Sequence, residues 1–128
     1  MSDLAFVMAK NVAVLGATPK EDRYSYRAMR ALLQNGHQAI PVNPAFEEVA
    51  GQKCVRSIAD IQGPLDTLTM YVGAARSRPL IAEILAAKPR RIIFNPGAEN
   101  PELADRAAAE GIEVVEGCTL VMLAEGSF

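Results

Sequence analysis

The run Val12-Ala13-Val14-Leu15-Gly16-Ala17-Thr18 restricts the fold more than any other stretch of the chain. Its first four residues are apolar on both faces of an extended chain, so both faces need cover, as in a strand inside a parallel sheet. The strand expected over Asn11 to Gly16 runs into a polar loop from Ala17 to Arg23. A helical pattern follows, with Ala28, Met29, Leu32 and Leu33 at core spacing and Gly36 as its stop. A glycine that ends a strand and opens a helix brings backbone N–H groups close to an anion. The segment is therefore expected to receive the phosphates of a nucleotide-like ligand.

The remaining pattern repeats this unit. A second strand is expected over Gln38 to Asn43, stopped by Pro44, which suits the first turn of a short segment. Ser57-Ile58-Ala59-Asp60 reads as an N-cap opening one helical turn before Gly63-Pro64. A third strand is expected from Asp66 to Val72. Ser77 and Pro79 start the next helix, with Leu80, Ile81, Ile84 and Leu85 inward, and Pro89 closes it before a strand over Arg91 to Asn95. Asn100 and Pro101 open another helix that stops at Gly111. A fifth strand is expected over Ile112 to Glu116, and Gly117 to Phe128 forms a short helix or arm. Five strands with helical crossovers give a single α/β domain spanning 1–128, with an open, doubly wound parallel sheet in Rossmann-like order 3-2-1-4-5 or its flavodoxin-like relative. Ligands of such sheets bind beyond the carboxyl ends of the strands. The loops of interest follow Gly16, Asn43, Val72, Asn95 and Glu116.

Thirteen Lys and Arg against fifteen Asp and Glu give a formal charge of -2, which provides no field to gather nucleic acid or an anionic membrane. The apolar runs are too short for a membrane span, and the N-terminus lacks a basic region followed by an apolar stretch, so a cytoplasmic location is expected. Cys54 and Cys118 form no metal-ligand or redox pattern and read as ordinary thiols. His37, the single histidine, follows Gly36 at a helix end and reads as a solvated turn residue, as Arg90 and Arg91 read as a solvated pair. No metal site and no histidine-based hydrolase is expected.

The phosphate loop has one glycine where a dinucleotide fingerprint has three. A carboxylate that would hold the ribose of NAD is missing from the end of the second strand, where the chain reads Val42-Asn43-Pro44. Lys20 and Arg23 instead place positive charge beside the loop, suited to a further phosphate on the ribose, as in NADP or coenzyme A. Ser25 either donates its hydroxyl to a phosphate or closes the helix cap with Asp22. Asn95-Pro96-Gly97 serves equally as a ligand wall or as a turn before a helix, and Tyr71 as wall or core.

Val14-Leu15-Gly16-Ala17-Thr18 with Asp22-Arg23-Tyr24-Ser25, Ile40-Pro41-Val42-Asn43-Pro44, and Asn95-Pro96-Gly97-Ala98-Glu99-Asn100 together resemble the stand-alone CoA-binding proteins. The fold of that family is similar to the N-terminal domain of the succinyl-CoA synthetase alpha subunit. The resemblance implies that Gly16, Ala17, Thr18, Arg23 and Ser25 cradle phosphates and that Val42, Asn43 and Pro44 line the nucleotide. It implies further that Tyr71 and Val72 flank the pantetheine arm, that Asn95, Pro96 and Gly97 form the opposite wall, and that Cys118 matches a position where relatives often carry cysteine. The chain departs from the family where relatives commonly have Gln-Leu-Gly or a similar sequence and it has Phe94-Asn95-Pro96-Gly97, and in the tail Thr119 to Phe128, which differs from their usual basic ending.

With the resemblance, the residues point to a small protein that binds coenzyme A or an acyl-CoA, with Lys20 or Arg23 for the 3′-phosphate and no convincing general acid, base or nucleophile for catalysis. Two alternatives are carried: a subunit of an NDP-forming acyl-CoA ligase, and an NADP-binding redox protein. The apolar stretch Leu120-Val121-Met122-Leu123 packs on its own sheet or on a second copy, making a homodimer an open possibility.

Overall fold

The computed structural model describes residues 9–128. The absence of a leader signal was read from the N-terminus, and residues 1–8 lie outside the described ones. In β1 (Asn11–Leu15), Val12 and Val14 enter one hydrophobic cluster and Ala13 and Leu15 another. The strand is covered on both faces, as its composition requires.

After β1 come α1 (Tyr24–Gln34) and β2 (Gln38–Val42), then a small hairpin of β3 (Glu48–Val49) and β4 (Gln52–Lys53). A 3₁₀ turn at Ile58–Asp60 leads to β5 (Thr67–Met70), and α2 (Ala74–Ser77) and α3 (Ile81–Ala87) flank a 3₁₀ turn at Arg78–Leu80. The chain continues through β6 (Arg91–Phe94), α4 (Pro101–Ala109), β7 (Glu113–Glu116) and α5 (Thr119–Glu125). The five long strands form a parallel sheet in the order β2-β1-β5-β6-β7. Counting only these strands, this is the flavodoxin-like 2-1-3-4-5 and not 3-2-1-4-5. The third strand crosses over the first to its free side, and the switch point lies between β1 and β5.

Both layers follow from the sequence pattern. On one side Met29 and Leu32 of α1 and Leu123 of α5 cover Val12, Val14 and Ala39. On the other, Ile81, Ile84 and Leu85 of α3 and Leu103 and Ala107 of α4 cover Leu68, Met70, Ile92 and Phe94. Each large side chain buried in this way contributes about 1.5–3 kcal/mol, more than the intrinsic preference of such short strands.

Local signals explain the boundaries. Gly36 follows the C-cap Asn35 of α1 at φ +83°, with the amides of Gly36 and His37 donating to the Leu33 and Leu32 carbonyls. Pro41 is tolerated within β2 because that strand is a sheet edge, its outer side meeting Val55. Asn100 caps α4 through Leu103 N–H, with Pro101 in the first turn.

Three local expectations change. The helix expected to start at Ser77 and Pro79 starts at Ala74, and Pro79 marks a 3₁₀ break inside the segment, since it lacks an N–H to continue the ladder. The segment after Pro44 builds a hairpin whose turn has Ala50 and Gly51 both at positive φ. Arg91 is not solvated: it is 5% exposed, with Nε on Thr67 Oγ1 and a second nitrogen on the Phe128 carbonyl. His37 and Lys10 meet Phe128 at the same amino-terminal edge of the sheet.

Candidate functional site

The tightest approach at the carboxyl edge of the sheet is at Gly16. Its φ is +92°, and a Cβ there would stand 2.8 Å from Val72 Cγ1 and 3.1 Å from the Tyr71 carbonyl oxygen. Its N–H donates to the Val42 carbonyl, which ties the start of the loop to β2. Asn43 completes the tie: its Nδ2 donates to the Ala17 carbonyl at 2.9 Å, and its Oδ1 accepts from Ala45 N–H. The loop is therefore held from the end of β2 by a backbone and a side-chain hydrogen bond.

α1 begins immediately after this loop with Arg23 as N-cap and no side chain capping it. The Asp22 cap does not form, since the Asp22 carboxylate is exposed and lies 3.9 Å from the Arg23 guanidinium. The first amides of α1 thus face a cleft of about 430 Å³ with the positive end of the helix dipole behind them. Gly16, Thr18, Lys20, Arg23, Ser25 and Asn43 line that cleft on one side, and Tyr71, Pro96 and Gly97 on the other. Tyr24, Phe46, Arg76 and Ala98 also line it, which the sequence reading did not anticipate. Backbone donors, a hydroxyl and two cations at one loop are the set that fits a diphosphate.

Two smaller pockets continue the cleft. One, of about 200 Å³, lies over the end of β2 between Val42, Pro44, Ile58 and Val72, and shares Gly16, Asn43 and Arg76 with the main cleft. The other, of about 260 Å³, is lined by Tyr24, Tyr71, Asn95, Pro96, Cys118 and Leu120. Tyr71 and Val72 therefore separate, Tyr71 facing the cleft and this second pocket and Val72 the β2 side.

The remaining expected residues have other work. Ala17 is fully buried in the α1 layer, so its backbone, not its methyl, is what the loop offers. Asn95 is 2% exposed and is the hub of a buried network. Its Nδ2 donates to Thr69 Oγ1 and the Met70 carbonyl, and its Oδ1 accepts from Thr119 N–H. Pro96 and Gly97 form the middle of a turn closed by Ala98 N–H on the Asn95 carbonyl.

Burial pushes the Tyr71 hydroxyl up to about 12, an effect that the nearby Cys118 thiol reinforces and the Thr119 and Thr69 hydroxyls partly offset. The hydroxyl itself is buried and lacks a hydrogen-bond partner. Burial also raises the Cys54 thiol, although its Sγ reaches the Asn43 carbonyl at 3.5 Å. His37 lies at the opposite edge of the sheet, where its Nδ1 accepts from Lys10 N–H, and takes no part in the cleft. Among the described residues no group of His, Cys, Asp and Glu is arranged to hold a metal ion, and no helix is long and apolar enough to cross a membrane.

Residues 10–124 match the family model described as CoA binding domain. The chain belongs to this CoA-binding domain family. Among its relatives is the uncharacterized protein YneT of Bacillus subtilis (strain 168), 36% identical over 107 residues that make up 84% of this chain and 79% of that protein. A solved structure of an uncharacterized protein is 43% identical with a TM-score of 0.88, covering 94% of this chain and 98% of that one. The ADP-forming acetate–CoA ligase of Methanocaldococcus jannaschii is 32% identical over 63 residues, 49% of this chain but 9% of the ligase. The family therefore includes both small proteins of about this length and one part of a much larger ligase.

Proposed function

We propose that this domain binds coenzyme A or an acyl-CoA and does not itself transform it. The observation that carries this reading is the glycine loop, braced by Val42 and Asn43 and opening onto the uncapped start of α1 with Lys20, Arg23 and Ser25 around it. A diphosphate set there has an apolar-walled pocket on each side. The adenosine is assigned to the β2 side, between Val42, Pro44 and Val72, and the pantetheine arm to the side of Tyr71, Pro96 and Cys118. Among the described residues the main cleft is lined by Lys20, Arg23 and Arg76 with the Thr18 and Ser25 hydroxyls and by no carboxylate, which suits it to hold an anion. A cytoplasmic location and assembly through the half-exposed Val121 on α5 belong to the same proposal.

Calorimetry with CoA, acetyl-CoA, dephospho-CoA, NADP and NAD tests it. Saturable one-to-one binding of CoA with NAD inert is expected. Stabilisation by NADP and none by CoA would overturn it in favour of a redox protein.

A second reading, a subunit of an acyl-CoA ligase, is favoured by the similarity to part of the M. jannaschii enzyme. Incubation with CoA, acetate and ATP distinguishes the two, since thioester formation with ATP consumption would establish the ligase role.

A further inference from the structure

The pocket over the end of β2 has two cations on its rim, Arg56 after the β3–β4 hairpin and Arg76 in α2. Neither forms an ion pair within 4 Å among the described residues. Lys20 and Arg23, the residues that sequence alone assigns to a ribose phosphate, line the main cleft but not this pocket. In dinucleotide-binding sheets, where the second strand likewise adjoins the first, a nucleotide whose phosphates sit at the β1–α1 loop places its ribose at the end of that second strand. Here that end is Val42-Asn43-Pro44. The Asn43 amide is already committed to Ala17 and Ala45, so it does not serve as the ribose anchor that an acidic residue is in NAD proteins.

We infer that Arg56 and Arg76 read the 3′-phosphate of coenzyme A, while Lys20 and Arg23 serve the diphosphate. The inference rests on the CoA-binding proposal and divides its positive charge between two positions. Arg76 stands where the main cleft and the β2 pocket meet, so its guanidinium reaches toward either side of the ribose. The planar fork of arginine matches phosphate oxygens in pairs, which a lysine cannot do. The one carboxylate lining the pocket, Glu83, accepts from Ser57 Oγ at 2.6 Å, which fixes its place on the α3 wall. The other walls are Leu15, Val42, Pro44, Ile58, Val72 and Leu80, suited to the face of an adenine.

The test crosses two ligands with three proteins. CoA and dephospho-CoA are titrated into wild type, the double variant Arg56→Ala/Arg76→Ala, and the double variant Lys20→Ala/Arg23→Ala, at one fixed low ionic strength. All four side chains are exposed, so the variants should keep the fold, which circular dichroism checks. Wild type is expected to prefer CoA over dephospho-CoA about tenfold or more, the scale of one charge-assisted contact. Arg56→Ala/Arg76→Ala should bring that ratio close to one by weakening CoA more than dephospho-CoA, because Arg76 also borders the main cleft. Lys20→Ala/Arg23→Ala should weaken both ligands alike and keep the ratio. A preserved ratio in the arginine variant, a ratio abolished in the Lys20/Arg23 variant, or a wild type indifferent to the 3′-phosphate would each overturn this inference while CoA binding stood. A wild type that binds neither ligand would defeat the CoA-binding proposal as well.

Discussion

Replacing Gly16 by alanine tests whether the loop is shaped by close approach or only by chain flexibility. The added methyl would stand 2.8 Å from Val72 Cγ1 and 3.1 and 3.2 Å from the carbonyl oxygen and carbon of Tyr71. Val72 can turn away, but the Tyr71 carbonyl belongs to the backbone leaving β5 and has no rotamer with which to yield. Holding alanine at φ +92° costs about 1–2 kcal/mol, and overpacking against a fixed wall about 1–3 kcal/mol. A total near 3 kcal/mol is expected. Gly36→Ala is the control, because Gly36 has a similar φ of +83° with nothing within 4 Å of its added Cβ. It should cost about 1 kcal/mol, the left-handed penalty alone.

Urea unfolding followed by circular dichroism reads both variants. With a slope near 2 kcal/mol per M, the midpoint of Gly16→Ala should fall about 1.5 M below wild type and that of Gly36→Ala about 0.5 M. Relief of the Gly16 clash moves either the phosphate loop or Tyr71, so CoA affinity should also drop by about tenfold or more, or 1.4 kcal/mol, only in Gly16→Ala. If the two variants are equally stable and bind CoA equally, the close-approach reasoning is wrong.

Asn95→Ala should lower stability by about 2–4 kcal/mol, because the Met70 carbonyl and Thr119 N–H lose buried partners; if the folded variant also loses CoA binding by more than a few fold, Asn95 touches the ligand as well. In a spectroscopic titration Tyr71 should ionise only as the pH approaches about 12. Since its folded value lies above the ordinary one of 10, its contribution to stability is present below pH 10 and is lost as the pH rises toward 12, a loss absent from Tyr71→Phe. His37 is held below its ordinary 6.5 by burial, then by Lys10 and Arg91, with Asp66 opposing. Unfolded chain therefore takes up the proton first, and stability should decline as the pH falls below about 6.5; an equal decline in His37→Gln would remove His37 as the cause.

How far the sequence reaches differs by element. The two-faced apolarity of β1 predicts its central place, and Asn100-Pro101 predicts the start of α4 within a residue, because each is a local rule with a local cause. Sheet order is not local. A right-handed crossover from β2 can set the third strand beyond β2 or on the free side of β1, and only the packing of the helical layers decides between them. Arg91 shows the same limit. A charged residue opening a strand looks solvated until Thr67 and the Phe128 carbonyl, distant in sequence, supply its partners. The Ala50-Gly51 turn escaped notice because alanine is a weak signal for a positive-φ hairpin position.

For the site, the rule that ligands lie beyond strand ends points to the loops that line the cleft, and Tyr24 and Arg76 sit within or just after stretches it marks. What it could not give is which way each side chain turns. Tyr71 and Val72 are consecutive residues leaving β5 and go to opposite sides, Val72 against Gly16 and Tyr71 toward Cys118.

Asn43 shows why a motif is a poor guide to the role of each of its residues. Pro41-Val42-Asn43-Pro44 reads as a strand end that lines a nucleotide, and its Val42 and Pro44 do face the β2 pocket. Yet the Asn43 side chain reaches back to the Ala17 carbonyl and forward to Ala45 N–H. An asparagine serves here because it has both a donor and an acceptor on one short arm, whereas an aspartate would set an acceptor oxygen against the Ala17 carbonyl oxygen and add negative charge beside the loop. The same residue type that excludes the acidic ribose anchor of NAD proteins thus also fixes the loop on which the phosphates are proposed to rest. The missing acidic ribose anchor and the preformed shape of the loop are, at this position, consequences of a single side chain.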